Sequence, residues 1–350
     1  MVSRFVFAVP GDLAAPTGGY AYDRRMIAEL EQLGWQVDVV NLGDGFPWPS
    51  NGTRRNAEAR LAALQDGRIV VIDGLAFGVL PETAGKLCSR RKLVALVHHP
   101  LALETGLTVQ QAERLRQSER AALAAASRVI VTSAATARKL IADYAIPPDR
   151  ISVARPGSDP APAAGGSRDG IVRLLSVGAV VPRKGFDVLV AALATLTDLP
   201  WHLTIAGDRS RDAKTTAQLD AAIARRHLAG RVSVLGAVAP QRLSELYTGA
   251  DLFVLASRFE GYGMAYAEAI AHGLPVIGTT AGAIADTVPE GAAVLVEADD
   301  TDALARALRR LIENADQRRR LAARARAAAG KLPTWRESAT IFAGALEALL

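Results

Sequence analysis

Short apolar segments rich in Val, Ile and Phe recur at 4–9, 35–41, 68–73, 92–98 and 128–132, and stretches of helical periodicity such as 22–33 and 112–126 separate them. Continuous apolar runs with a helix before each next run are how a parallel sheet covered on both faces reads in sequence. The first half is therefore expected to form one doubly wound α/β domain. Periodicity lapses at 155–167, where Pro and Gly collect, and this marks a linker. A second alternating series follows, with strands expected at 171–177, 201–207, 231–235, 251–255, 275–278 and 292–296, and helices at 184–196, 212–227, 241–248, 264–272 and 300–328. The chain thus reads as an N-terminal domain over 1–160, a C-terminal domain over 168–330 and a last helix over 333–350 that caps either domain or crosses back to the first. Two such domains would present the carboxyl ends of their strands to an interdomain cleft, where open α/β sheets bind ligands.

Composition narrows the function classes. A length of 350 residues with 50% hydrophobic content suffices for two buried cores. The lone Cys88 excludes an internal disulfide, and the five His residues include no His-x-x-x-His pair, so the sequence calls for no metal and points to a reducing, cytoplasmic setting. Asp12 and the nearby glycines arrive too early for 1–10 to act as a signal peptide or membrane span, which leaves 4–9 as the first buried strand. The formal charge is +5, with basic pairs at Arg24-Arg25, Arg54-Arg55 and Arg90-Arg91-Lys92. These read as solvated surface or, more sharply, as peripheral contact with an anionic membrane face, and the Arg-rich 300–328 segment carries the same two readings. Nucleic acid is disfavoured, because no aromatic residues interleave with the basic ones.

Four loops carry chemistry. In Arg258-Phe259-Glu260-Gly261-Tyr262-Gly263-Met264-Ala265-Tyr266-Ala267-Glu268, two carboxylates flank a glycine-opened turn before a helix. Gly263 lets the backbone approach a ligand, and free N–H groups near Met264 and Ala265 with the positive end of the helix dipole suit a phosphate. Glu268 could then accept from ribose hydroxyls and Glu260 could meet a sugar, the alternative for either being a cap or a salt bridge. In Gly178-Ala179-Val180-Val181-Pro182-Arg183-Lys184-Gly185, Arg183 and Lys184 stand between a strand and a helix, where they can hold a diphosphate or form a plain basic turn. Gly18 and Gly19 follow the first strand in Thr17-Gly18-Gly19-Tyr20, which lacks the Gly-x-Gly-x-x-Gly spacing of a nicotinamide dinucleotide site. His98, in Val97-His98-His99-Pro100, ends an apolar run as either a proton-handling group or a packed structural histidine.

Taken together these motifs resemble those of the retaining GT-B glycosyltransferases of family 4. Glu260 and Glu268 match the Glu-x7-Glu pattern of that family. The turn at Pro182-Arg183-Lys184-Gly185, the Thr17-Gly18-Gly19 turn and the His98 region fall in the family's order. The resemblance implies two doubly wound Rossmann-like domains, the first binding acceptor and the second binding donor. Lys184 would hold the donor diphosphate, Glu268 the ribose, and Glu260 would lie by the donor sugar. Gly18 and Gly19 would border the phosphates, and His98 would stand between donor sugar and acceptor. Ala179 stands where family members often carry Arg; Arg183 is the candidate for the missing charge and ranks below Lys184 as a diphosphate-binding residue. The resemblance further implies transfer with retained anomeric configuration, no essential metal and no cofactor. The donor would be a UDP- or GDP-linked sugar, UDP first, and the acceptor a hydroxyl of a saccharide, a lipid-linked saccharide or a small molecule. A related GT-B phosphorylase, a sugar-nucleotide processing enzyme and an inactive sugar-nucleotide-binding subunit are the competing readings.

Overall fold

The computed structural model describes residues 3–350. The chain divides into two compact units, one made of the residues up to Gly157 together with Pro333–Leu350, the other of Ser158–Leu332.

The first unit is built on six parallel strands, β1 (Arg4–Val9), β2 (Gln36–Asn41), β3 (Ile69–Asp73), β4 (Lys92–Val97), β5 (Arg128–Val131) and β6 (Ile151–Val153), in the order β2-β1-β3-β4-β5-β6. Its helices are α1 (Gly18–Gln32), α2 (Asn51–Ala62), α3 (Gly74–Phe77), α4 (Pro81–Leu87), α5 (Val109–Ala124) and α6 (Ala134–Tyr144). All five residues of β3 are buried, as are the last five of β1 and of β4, because helices cover both faces of the sheet. The edge strand β6 was not foreseen from sequence. It is only three residues long and half-buried, too short for a periodicity to show.

The second unit repeats the architecture with β7 (Val172–Val177), β8 (Trp201–Ala206), β9 (Val232–Val234), β10 (Leu252–Val254), β11 (Val276–Thr279) and β12 (Ala293–Val296), in the order β12-β11-β10-β7-β8-β9. Its helices are α7 (Phe186–Ala194), α8 (Ala213–Arg225), α9 (Pro240–Gly249), α10 (Met264–Ala271), α11 (Ile284–Thr287), α12 (Thr301–Glu313) and α13 (Ala315–Ala329). The expected α/β class is borne out in both units, and each expected strand is present. No helix of the described residues is long and apolar enough to cross a membrane.

Two segments differ from their sequence reading, and the last helix takes one of the two places expected for it. The 155–167 stretch is no loose tether, since Ala164, Gly165 and Ser167 donate their N–H groups to His272 O, Thr248 O and Asp251 Oδ1 at 2.8–2.9 Å. Backbone polar groups that leave water need partners, and here the ends of two helices and a carboxylate supply them. The last helix, α14 (Trp335–Glu347), packs against α1, β5 and β6 of the first unit. The segment expected as one helix over 300–328 is two, because Asn314 leaves the helical region (φ −108°, ψ 91°), ends α12 and caps α13 by accepting from the Gln317 N–H at 2.9 Å. Several of the arginines there have local work: Arg309 bridges Asp198 and Glu313, and Arg318 donates to the carbonyls of Leu311 and Ile312.

A side-chain cap contributes about 1 kcal/mol. Asn314→Ala is expected to lower the stability of the second unit by that amount in urea denaturation. An unchanged or raised midpoint would mean that α12 and α13 gain by fusing and that the break has another origin.

Candidate functional site

The order of the second sheet reverses between β7 and β10, so the loops that leave these two strands emerge side by side although they are distant in sequence. The loop after β7 closes in a short 3-10 turn, Pro182–Lys184, and the loop after β10 runs to the start of α10. Between them lies a charged cluster. Lys184 Nζ donates to Glu260 Oε1 at 2.6 Å, Arg183 Nη1 donates to Glu260 Oε2 at 3.2 Å and to Phe259 O at 2.9 Å, and Ser257 Oγ donates to Glu260 Oε1 at 2.6 Å. Glu260 is only 5% exposed. Burial alone would raise its pKa, but Lys184 and then Arg183 outweigh burial and hold the carboxyl at about 2.

Two features fix the loops around this cluster. Arg258 donates to both oxygens of Asp187, to Asp299 Oδ1 and to Pro182 O, which ties the β10 loop to the turn that carries Lys184. Gly185 adopts φ +64°, and a Cβ there would lie 1.9 Å from Ala256 O, so no other residue fits. Gly282 backs the cluster from the far side, where a Cβ would come within 2.2 Å of Glu260 O.

Helix α10 begins at Gly263, in the left-handed region at φ +94°, with no side-chain cap and no acidic residue in its first turn. The N–H groups of that turn, at Met264 and Ala265, therefore meet no carboxylate from their own helix, and the dipole end favours an anion. One turn on, Glu268 accepts from the Tyr247 hydroxyl at 2.8 Å. Tyr247 is itself buried, stacked on His272 at 4.9 Å, while His272 Nδ1 lies 2.8 Å from Pro162 O. Burial raises the Glu268 carboxyl above its ordinary range, with the Tyr247 hydrogen bond opposing.

The first sheet reverses between β1 and β3, and its site residues gather there. Gly18 and Gly19 form the first turn of α1, capped by Thr17, whose side chain accepts from the Tyr20 N–H. Neither glycine is demanded by its protein surroundings: a Cβ on Gly18 would meet nothing within 4 Å, and one on Gly19 would rest in ordinary contact with the His98 ring at 3.5 Å. His98, just after β4, places Nε2 3.2 Å from Asp23 Oδ1 and 3.4 Å from Asp73 Oδ2. His99 turns instead toward Glu104, 3.4 Å away.

The structure thus joins Arg183, Lys184 and Glu260 in one cluster, with Gly263, Met264, Ala265 and Glu268 on the adjoining helix. Gly18, Gly19 and His98 form a separate group in the first unit. Sequence reading passed over Ser257, Gly282, Tyr247, Asp23 and Asp73. For Asp23 a signal existed: it falls on the face of α1 that buries Tyr22, Met26, Ile27 and Leu30, where an unpaired carboxylate would be costly. Asp73 ends an otherwise apolar strand in the same telling way. For Ser257 and Tyr247 no local pattern marks the role.

Comparison with known proteins bears on the family and the fold. Residues 160–328 match the profile described as Glycosyl transferases group 1, and residues 18–161 the profile described as Glycosyltransferase Family 4. The chain is 31% identical over 281 residues to a D-inositol 3-phosphate glycosyltransferase of Xylanimonas cellulosilytica, an alignment covering 73% of this chain and 67% of the relative. It is also 31% identical over 264 residues to the D-inositol 3-phosphate glycosyltransferase of Nocardia farcinica, covering 69% of this chain but only 58% of that relative's length. Among solved structures, sucrose-phosphate synthase from Thermosynechococcus elongatus superposes with a TM-score of 0.82 at 20% identity, covering 99% of both chains. HepE from Anabaena, solved in complex with UDP, superposes with a TM-score of 0.72 at 20% identity, covering 98% of this chain and 100% of that one.

The depressed carboxyl of Glu260 has a consequence for stability. Its folded pKa lies below the unfolded one, so its contribution is complete above about pH 4.5 and disappears as pH falls toward 2. The magnitude at neutral pH is roughly 3 kcal/mol. Glu260→Gln should be less stable than wild type at pH 7, with the gap closing between pH 5 and pH 2 in urea titrations. A gap independent of pH would remove the ion pairs as its cause.

Proposed function

The chain belongs to glycosyltransferase family 4 and has the GT-B fold, and from that premise we propose that it moves a sugar from a nucleoside diphosphate sugar to a hydroxyl with retention of anomeric configuration. The observation that carries the reading is the meeting of Lys184, Arg183 and the uncapped start of α10 at a single strand crossover. Such a convergence of cations and N–H groups serves an anion, and in this family context the anion is the diphosphate of the donor. The second unit binds donor and the first binds acceptor.

On this reading Glu260 satisfies Lys184 and Arg183 until the diphosphate arrives and competes for the same donors. Lys184 and the α10 N-terminus then stabilise the charge that builds on the leaving diphosphate as the glycosidic bond breaks. Glu268, oriented by the Tyr247 hydroxyl, accepts from the ribose hydroxyls. The acceptor hydroxyl attacks the face from which the diphosphate departs, and an oxygen of the leaving phosphate takes its proton. This route needs positioning and charge stabilisation and neither a metal nor a carboxylate nucleophile. His98 serves the reacting sugar or acceptor as a hydrogen-bond donor. The relative solved with UDP makes a UDP-sugar the first donor to test, and the acceptor is a hydroxyl of a saccharide, a lipid-linked saccharide or a small polyol.

Calorimetry with UDP, GDP and ADP, followed by mass-detected transfer from the matching sugar donors, tests the assignment. Glu268→Ala is expected to weaken nucleotide binding about 10- to 100-fold, the worth of a lost charged hydrogen bond. Lys184→Ala should weaken binding and also lower kcat by about 100-fold or more. Unaltered binding and turnover in both variants would remove the donor site from the second unit.

A further inference from the structure

The His98 cluster has a composition that neutral histidine does not explain. Asp23 is 0% exposed and Asp73 2% exposed, and both aim an oxygen at the same ring nitrogen. Nε2 must therefore carry the proton, because it faces two acceptors. The remaining oxygen of Asp73, Oδ1, accepts from the Leu75 N–H at 2.7 Å, while Asp23 Oδ2 is buried with no hydrogen-bond partner among the described residues. Two carboxylates withdrawn from water and this close together repel each other unless a cation lies between them.

The other groups around the ring do not supply that cation. Tyr22 makes a T-shaped contact with the imidazole, ring centres 5.3 Å apart, and spends its hydroxyl on Ala154 O at 2.9 Å. Arg24, on the exposed side of α1, donates to the carbonyls of Leu13 and Ala15, and its charge acts on Asp23 less than that of His98 or Asp73 does. Thr132, beyond β5, donates to the His98 carbonyl and not to the ring. The compensating charge is left to His98 itself.

We propose that Asp23 and Asp73 are positioning residues that lock His98 as an imidazolium with Nε2 turned inward, so that its Nδ1–H is the group presented to a ligand. The proposal rests on the glycosyl-transfer reading for the identity of that ligand: a sugar hydroxyl or a phosphate oxygen, each an acceptor of a cationic hydrogen bond. His98 then acts as a fixed cationic donor and has no lone pair with which to act as a base. The direction of titration agrees. Burial alone would lower His98, but Asp23 and then Asp73 outweigh it and lift the ring to about 10, while burial raises Asp23 to about 6 against the pull of His98. The imidazolium's contribution to stability is accordingly complete below its unfolded value and is lost only as pH rises toward 10.

The test uses the full chain with 15N-labelled histidine. His98 is one of five His residues, and its signals are identified by their loss in His98→Gln. Ring nitrogens that stay in the imidazolium range at pH 8 support the proposal; titration of wild-type His98 near 6.5 overturns it, and so, with no variant needed, does the lack of any His signal held in the imidazolium range at pH 8. In Asp73→Asn and Asp23→Asn the His98 titration should fall by at least one pH unit, and the alkaline limb of the kcat profile should fall with it. In Asp73→Asn kcat should drop by about tenfold or more, as for a weakened charge-assisted hydrogen bond. One oxygen from each of Asp23 and Asp73 and one ring nitrogen of His98 also lie within 4.8 Å of one another. His98 signals that shift on adding zinc, together with activity lost to a chelator, would overturn the proposal in favour of a metal. Transfer activity with a normal His98 titration defeats this inference alone, whereas a persistent imidazolium without transfer to any acceptor defeats the proposed function alone.

Discussion

A carboxylate taken out of water costs several kcal/mol unless cations come with it, and Glu260 sits almost wholly inside the second unit. Lys184 and Arg183 therefore have to lie where they do, and they can do so only because β7 and β10 are neighbours in the sheet. In the order β12-β11-β10-β7-β8-β9 the first strand of the unit ends up central, with the chain leaving it on one side and returning on the other. A different strand order would carry the Lys184 turn and the Glu260 loop apart and leave a buried charge on each. Crossover and cluster are thus mutually dependent, and Arg258, bridging Asp187 and Asp299, fastens the same two loops from the solvent side.

The first unit resolves an equivalent problem with the signs exchanged. Two cations share one carboxylate at the second unit's crossover, whereas two carboxylates share one imidazole at that of the first. The first arrangement leaves positive charge to spare, which suits a diphosphate. The second fixes a histidine in its cationic form and leaves one ring nitrogen for an oxygen acceptor. Each is a group of three charges beside the carboxyl ends of strands, Asp23 being supplied by α1, and there the sheet gives rigidity and the loops give access.

Irregular segments in this chain are held as firmly as regular ones. The Pro- and Gly-rich stretch before β7 hands three N–H groups to His272, Thr248 and Asp251, so it joins the second unit instead of spanning freely. His272 in turn stacks on Tyr247, which orients Glu268, so that the connection, the stack and the carboxylate form one continuous set of contacts.

The amino-acid sequence determined the α/β class and every strand except β6, because buried parallel strands and the helices between them write their periods directly into residue order. It also singled out both glutamates, the Lys184 turn, the glycine pair and His98, since each sits beside a strand or helix end whose local chemistry is visible. It was misled at 300–328, where a single Asn interrupts an otherwise continuous helical period, and it was silent on Ser257, Tyr247 and Gly282. Only the tertiary structure decided that Lys184 and Arg183 are held by Glu260, and that His98 faces Asp23 and Asp73. Ion pairs of this kind depend on which strands become neighbours, and strand order is a property of the packed sheet that no local run of residues encodes.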